Sequence, residues 1–407
     1  MPTEFVRELT LAQGEANAHW IEARKRSDFK MLAADLKKIV ALKRREAAYI
    51  GYRQSPYDAL LDDYEPGATS ADIAPVFDDL KKFLVPFVAQ IGFSPVRPRR
   101  EILRARCPVK QQEAFTKMVV SQLGFDWNRG LLAVTAHPMC YSFNPNDIRM
   151  STRYEEDDFF HQCFFSTVHE MGHGHYDQGM RYEYFGTGMC HEVSMGVHES
   201  QSRMWENQVG HSRAFWKYFY PRLKGAYGFQ EQFWGVSFED FYAAINAVEP
   251  ALIRTDADEV TYNLHVIIRF EIEKALIEGD IEVDDLPHVW NAKMREYLGV
   301  EVSDDANGVL QDIHWPEGMF GYFPTYTLGN LYAAQFYAAA RRDIPDLEDG
   351  FADGEFQPLL SWLNKNIHVH GQLYSASELV RTVTGEYPIS RYFEEYLRGK
   401  YSEIYQV

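Results

Sequence analysis

The sequence predicts a mainly α protein with a small antiparallel β-sheet. Three observations lead there. Apolar residues recur at helical spacing through most of the 407 residues. Short β-favouring runs are confined to a stretch near 130–155. No internal repeat and no Gly-, Ser- or Pro-rich linker divides the chain, so residues 1–407 are expected to form one domain. Any lobes would flank a cleft rather than hang on a linker.

Taken in order, residues 28–48 place Phe29, Leu32, Leu36, Ile39, Val40 and Leu42 on one stripe, with Lys and Arg between them. Tyr64–Gly67 carries a Pro-Gly turn. Residues 72–92 repeat the helical stripe with Ile73, Val76, Phe77, Leu80, Phe83, Leu84 and Phe87. Leu131–Ala136 and Arg149–Tyr154 read as strands, with Asn144-Pro145-Asn146 as a turn between them. Residues 238–248, 257–278 and 376–404 read as helix, and the acidic, Gly-containing stretch Asp343–Glu355 as a surface loop.

Composition narrows the partners. Apolar residues make up 46% and charged residues 25%, as in ordinary globular proteins. A net charge of −18 excludes a nucleic-acid wrapper, which needs clustered Lys and Arg for phosphates. Cys107, Cys140, Cys163 and Cys190 lie far apart with no CxxC pair, which argues against a disulfide framework and a thiolate metal site. The start, MPTEFVRELTLAQGEA, lacks the basic and apolar regions of a signal peptide. No run of about 18 apolar residues occurs, so no membrane span is expected. A cytoplasmic protein fits these observations.

Residues 169–173 read HEMGH. One helical turn separates His169 from His173, so both imidazoles project from one face and can reach a single zinc ion. Glu170, beside the first of them, is placed to act as general base on a water. The plain alternative is two packed histidines and a surface Glu. Phe164, Phe165 and Val168 draw this helix into a core. Gly172 and Gly174 oppose it at about 1 kcal/mol each, which suggests a close neighbour, and Gly179 is a plausible stop.

A third ligand is then required. The pattern with a third His needs Gly at 176 and His at 179, where the sequence has Tyr176 and Gly179. A carboxylate on a later helix remains. The segment HEVSMGVHESQSRMWEN at 191–207 offers Glu192, Glu199 and Glu206, seven residues apart and near one helical face. Glu199 is the first choice, with the other two as support for the ligands. Periodicity does not choose among the three.

Five stretches in order carry a resemblance: HEMGH at 169–173, His198-Glu199-Ser200-Gln201-Ser202, Ile253-Arg254-Thr255-Asp256-Ala257-Asp258, GVLQDIHW at 308–315 and GYFPTY at 321–326. They are similar to HExxH, HESQ, IRxxAD, GxxQDxHW and a family-like aromatic segment of the M32 metallocarboxypeptidases, the thermostable carboxypeptidase 1-like enzymes. The resemblance implies a gluzincin-type helical body with its small antiparallel sheet beside a deep active-site cleft. It makes Glu199 the third ligand of one Zn2+ per chain, with Co2+ as a substitute. It implies a homodimer and a hydrolase of the EC 3.4.17 type that releases single residues, with broad specificity, from peptides with a free C-terminus. Two motifs depart: HPF is His137-Pro138-Met139 and DxRxT is Asp147-Ile148-Arg149-Met150-Ser151, changes that bear on side-chain preference. Family members carry a further N-terminal helical segment over the cleft. This chain begins after it, so a more open mouth is expected.

Removing a C-terminal residue also needs donors for the developing oxyanion and a cation for the substrate carboxylate. By resemblance and chemistry the donors are His314, Tyr322 and Tyr326, packing being the plain alternative for the tyrosines. Arg254 is the carboxylate anchor, unless it pairs with the acids of Thr255–Glu259, which read as a capped helix start. Arg149 is the second choice. His137, ending the first strand, either faces substrate or is structural. The strands could pair with an extended peptide. An aminopeptidase would instead need acidic groups for the substrate amine, and an endopeptidase no charged anchor. A scaffold with a vestigial site would have lost a ligand or Glu170, and all four residues are intact.

Overall fold

The computed structural model describes residues 1–104, 106–226, 229 and 231–407. Helix takes up 65% of the chain, against one three-stranded sheet, which makes the fold mainly α as expected. The chain divides into two compact units: Met1–Phe93 with Val248–Thr327, and Ser94–Ala247 with Leu328–Val407.

In the first unit, helices Thr3–Arg26 and Lys30–Ile50 pack together across the turn at Ser27. All six residues of the predicted stripe from Phe29 to Leu42 are buried. Helix Ser70–Phe93 buries Ile73, Phe77, Leu80, Leu84 and Phe87, while Val76 and Phe83 are half-buried. The unit's axis is helix Tyr262–Glu278, which is buried nearly all round. Besides Leu264, Ile268 and Ile272 it hides Asn263, His265, Arg269 and Glu273. A helix without a wet face belongs in a core, and its polar side chains must find partners there.

That helix begins later than the sequence suggests. Arg254–Asp256 form a 3-10 turn, and Asp258 accepts the amides of Val260 and Thr261 at 3.0 Å each. The acidic residue therefore holds the turn that precedes the helix, whose first residue is Tyr262.

In the second unit the strands are β1 (Gly130–Val134), β2 (Met139–Asn144) and β3 (Asp147–Thr152), ordered β1-β3-β2. β2 pairs antiparallel with β3, but β1 runs parallel to it. The sheet is mixed, which corrects the expectation of a purely antiparallel one. The reason is a strand hidden beside Pro138: β2 makes the hairpin with β3 through the predicted turn, where Asn146 N donates to Asn144 Oδ1 at 2.9 Å. β1 is left to pair with the other edge of β3.

Two other expectations need correction. The stretch 343–355 contains the helix Leu347–Asp353, held by the buried pair Leu347 and Phe351 at i,i+4 and closed by Gly354 at φ 89°. The stretch 376–404 is two helices, Ala376–Thr384 and Arg391–Tyr405, parted by Gly385 at φ 96° and Pro388. Among the described residues no helix is long and apolar enough to cross a membrane.

Burial also sets an acid limit. It holds His265 in the first unit and His368 in the second well below the ordinary histidine range. Both rings are neutral when folded but protonate near pH 6.5 when unfolded. The unfolded state thus binds more protons below that pH, and the stability from keeping the rings neutral is lost as pH falls. The contribution of these two rings to the melting temperature is expected to fall between about pH 6.5 and 5. A flat profile across that interval, measured by calorimetry, would contradict this account.

Candidate metal centre

Helix Ser166–Gly179 carries HEMGH, and helix Met195–Arg203 carries Glu199. The second helix starts where Ser194 Oγ accepts Val197 N at 3.0 Å. The two approach closely at Gly172, where an added methyl group would lie 2.5 Å from Ser202 Cα and 2.7 Å from Gln201 O. Gly172, costly for the helix alone, is what lets them touch. Gly174 faces Phe125 and Ile148, seating the helix near β3. A third close contact comes from Gly329, whose Cβ would meet Glu199 Cγ at 2.6 Å.

This packing brings three donors to one point. His169 Nε2 and His173 Nε2 lie 3.5 and 3.4 Å from the same oxygen, Glu199 Oε2. All three ligand atoms fall within 4.8 Å of one another. Tetrahedral bonds of about 2.0–2.1 Å, as zinc makes to nitrogen, give edges of about 3.4 Å. Two imidazole nitrogens and a carboxylate oxygen at that spacing fit a divalent ion of zinc's size.

The neighbours orient these donors. Glu206 Oε2 takes His169 Nδ1 at 2.8 Å, which leaves Nε2 to point inward. Arg203 binds Glu199 Oε1 at 2.7 Å and Glu206 Oε2 at 3.3 Å. Ser202 Oγ donates to Glu199 Oε2 at 3.1 Å. The His173 ring stacks on His198 at 4.3 Å, and His198 Nε2 in turn meets Asp177 Oδ1 at 3.2 Å. Burial lowers His169, but Glu199 and Glu206 reverse that and raise it to about 10. Two carboxylates beside Arg203 draw a proton onto His169, and a bound cation would take that proton's place.

The helices flanking these donors contain two π-helical turns, Phe159–Phe165 and Met204–Gly210. Glu206 sits on the second. Glu170 is buried on the metal helix, and burial pushes its carboxyl up to about 7. Glu192 lies outside the helix, ahead of its Ser194 cap, and so does not share the face expected for it.

The first unit holds a second polar cluster. Asp312 Oδ1 accepts Arg254 Nε and Nη2 at 3.2 and 3.0 Å, and Oδ2 accepts Arg269 Nε at 2.7 Å. Gln311 Oε1 takes Arg254 N at 2.9 Å and Arg269 Nη2 at 2.8 Å. Tyr262 Oη accepts Arg254 Nη1 at 3.0 Å. Arg254 therefore pairs with Asp312, not with the acids of its own turn. Against the cost of burial, Arg269 and Arg254 hold the Asp312 carboxyl far below the usual range. The guanidinium of Arg254 lies 5.0 Å from the Tyr326 ring. The His314 ring lies 5.3 Å from Tyr322 and 6.4 Å from Tyr326. Burial pulls His314 down to about 4, against Asp312 and with the help of Arg254.

His137 and Arg149 belong to neither cluster. His137 is exposed in the bend between β1 and β2, just past the strand it was expected to end. Arg149 turns its fork onto Asp147, at 3.0 Å to each oxygen, and covers Phe143. Sequence reasoning assigned no role to Arg203, Asp177, His198, Asp312 or Arg269. Arg203 was findable: it is four residues after Glu199 and three before Glu206, on their shared face.

Glu206→Gln is expected to keep the fold and weaken divalent-metal affinity about 10–100-fold. Competition with a chelator checks this, and unchanged affinity would mean that Glu206 does not orient His169.

Comparison with known proteins follows the same lines. The Carboxypeptidase Taq (M32) metallopeptidase family matches residues 1–401. The chain is 46% identical to thermostable carboxypeptidase 1 of Thermus thermophilus over 100% of its own length and 80% of the relative's. It is 38% identical to carboxypeptidase 1 of Bacillus subtilis with the same coverage. The crystal structure of an M32 carboxypeptidase from Deinococcus radiodurans is similar with a TM-score of 0.97 at 40% identity, covering 100% of this chain and 81% of that one.

Proposed function

Because the chain belongs to the M32 family of metallocarboxypeptidases and is a hydrolase, we propose that it removes single amino acids from the free C-terminus of peptides, using zinc at His169, His173 and Glu199. The observation that carries this reading is the approach of both histidine Nε2 atoms to one Glu199 oxygen, with Glu170 next to His169 in the sequence. When bound, the ion supplies Lewis acidity to the scissile carbonyl and to the attacking water.

The chain's own residues do the rest. Glu170 takes a proton from the water as its oxygen adds to the carbonyl carbon. It returns that proton to the departing amine as the C–N bond breaks. A carboxyl raised to about 7 by burial is suited to both transfers. His314, Tyr322 and Tyr326 donate hydrogen bonds toward the oxyanion. His314, lowered to about 4, does so as a neutral imidazole.

Arg254 recognises the substrate carboxylate. Support comes from its charge balance: Arg254 and Arg269 share the single carboxylate of Asp312, so a second anion is welcome there. Arg149 is the weaker candidate, since Asp147 already fills its fork. We assign His137, exposed beside β2, to peptide contact only.

One peptide offered with a free C-terminus and as its C-terminal amide, in the presence of zinc, tests the proposal by mass spectrometry. Stepwise loss of single residues from the free form alone is expected. Cleavage of both at one internal bond would replace it with an endopeptidase, and loss of N-terminal residues with an aminopeptidase. Glu170→Gln should retain its metal and lose at least about 1,000-fold in kcat. Full activity in that variant would refute the role of Glu170.

A further inference from the structure

The geometry points to Glu273 as a positioning residue that sets His314 and Tyr322 side by side by clamping the loop between them. This inference rests on the roles proposed above for those two residues.

Glu273 lies on helix Tyr262–Glu278 and is fully buried. Its two oxygens serve three segments of the chain. Oε2 accepts Trp315 Nε1 at 3.2 Å, and Oε1 accepts Gly321 N at 3.2 Å and the hydroxyl of Tyr57. Two of these donors bracket one loop. Trp315 directly follows His314, and Gly321 directly precedes Tyr322. Both ends of the loop 315–321 are thus pinned to a single carboxyl, and the two rings just outside it lie 5.3 Å apart.

The loop itself has little freedom to close in another way. Gly318 N bonds to Trp315 O at 2.9 Å, and Met319 N to His314 O at 2.8 Å. Gly321 has φ 93°, and a methyl group there would lie 2.7 Å from Leu60 O. Its amide must therefore sit where the carboxyl is. An apolar side chain at 273 would fill this space more cheaply than a buried acid, but it could not accept two separate N–H groups. The acid does so in either protonation state. Burial pushes it up to about 8, and when protonated it can give its proton to the Tyr57 oxygen while each of its own oxygens still accepts. A glutamine cannot: its amide nitrogen accepts nothing, so either Trp315 or Gly321 would face a donor.

The test compares Glu273→Gln with Tyr57→Phe, which removes the one donor outside the loop. Peptide turnover, metal content and melting temperature are measured for each. Glu273→Gln is expected to bind a full complement of metal, to lose at least about 10-fold in kcat, and to change KM by less than about 2-fold. Tyr57→Phe should keep kcat within about 2-fold of the parent. Should Glu273→Gln fail to fold, Trp315→Phe breaks one end of the clamp with the acid in place, and the same selective loss of kcat is expected. Equal losses of kcat in Tyr57→Phe and Glu273→Gln would mean a general stabilising role and overturn the inference. Normal kcat in Glu273→Gln, with His314→Gln and Tyr322→Phe both impaired, would overturn it while leaving their roles intact. Normal kcat in those two variants would remove the reading beneath it, and the inference with it.

Discussion

The close approach of helices Ser166–Gly179 and Met195–Arg203 is the constraint on which the metal centre depends. Neither helix alone holds more than part of the donor set. They meet because Gly172 has no side chain, and the meeting point lies between the two histidines in sequence. Glu199 is then delivered opposite both rings. From the other side Gly329 leaves just enough room for the Glu199 side chain. Such a site is defined by backbone contact more than by the ligands themselves, and backbone contacts are stiff. The orientation of His169 by Glu206 adds direction to a position already fixed.

The same logic of buried polar groups runs through the first unit by different means. Helix Tyr262–Glu278 is hidden on every side, yet carries Arg269 and Glu273 into the interior. Each has become the hub of a set of hydrogen bonds. Arg269 braces Asp312 and Gln311, which in turn hold the side chain and backbone of Arg254. Glu273 gathers Tyr57, Trp315 and Gly321. Interior polar groups that are fully partnered cost stability relative to apolar packing, but they fix geometry that packing leaves loose.

How much of this was legible in the sequence depended on which physical signal each feature left. The helix 30–50 was clear, since large apolar residues mark its inner face. The helix Thr3–Arg26 was not, because its buried face relies largely on Ala12, Ala16 and Ala23, which give almost no amphipathic contrast. β2 was missed because Pro138 and a run of mixed polarity, MCYSFN, resemble a loop, and its pairing is set by β3 and not by its own pattern. HEMGH pointed to two candidate ligands through the geometry of one turn. The choice of Glu199 over Glu192 and Glu206 needed resemblance, because equal spacing along a supposed helix is silent about where that helix begins. Ser194, a good cap, was the available clue. Asp312 and Arg269 are 43 residues apart, and no local rule connects them.

The π-helical turn Met204–Gly210 ties the length of this segment to the aim of its side chains. A π turn is a rare, wide turn set within an α-helix, and such turns are frequent at functional sites. Removing a single residue from this stretch would let the backbone relax into better hydrogen bonding. It would also re-aim the side chains within the turn itself, because a residue in an α turn advances further around the axis than one in a π turn. Glu206 lies near the start of the turn, while Trp205, Asn207 and Val209 in the same segment are packed against the interior. Insertions and deletions here are therefore far more consequential than substitutions. When relatives of this chain are aligned, a gap placed within 204–210 should be treated as an error in the alignment before it is accepted as a difference between enzymes.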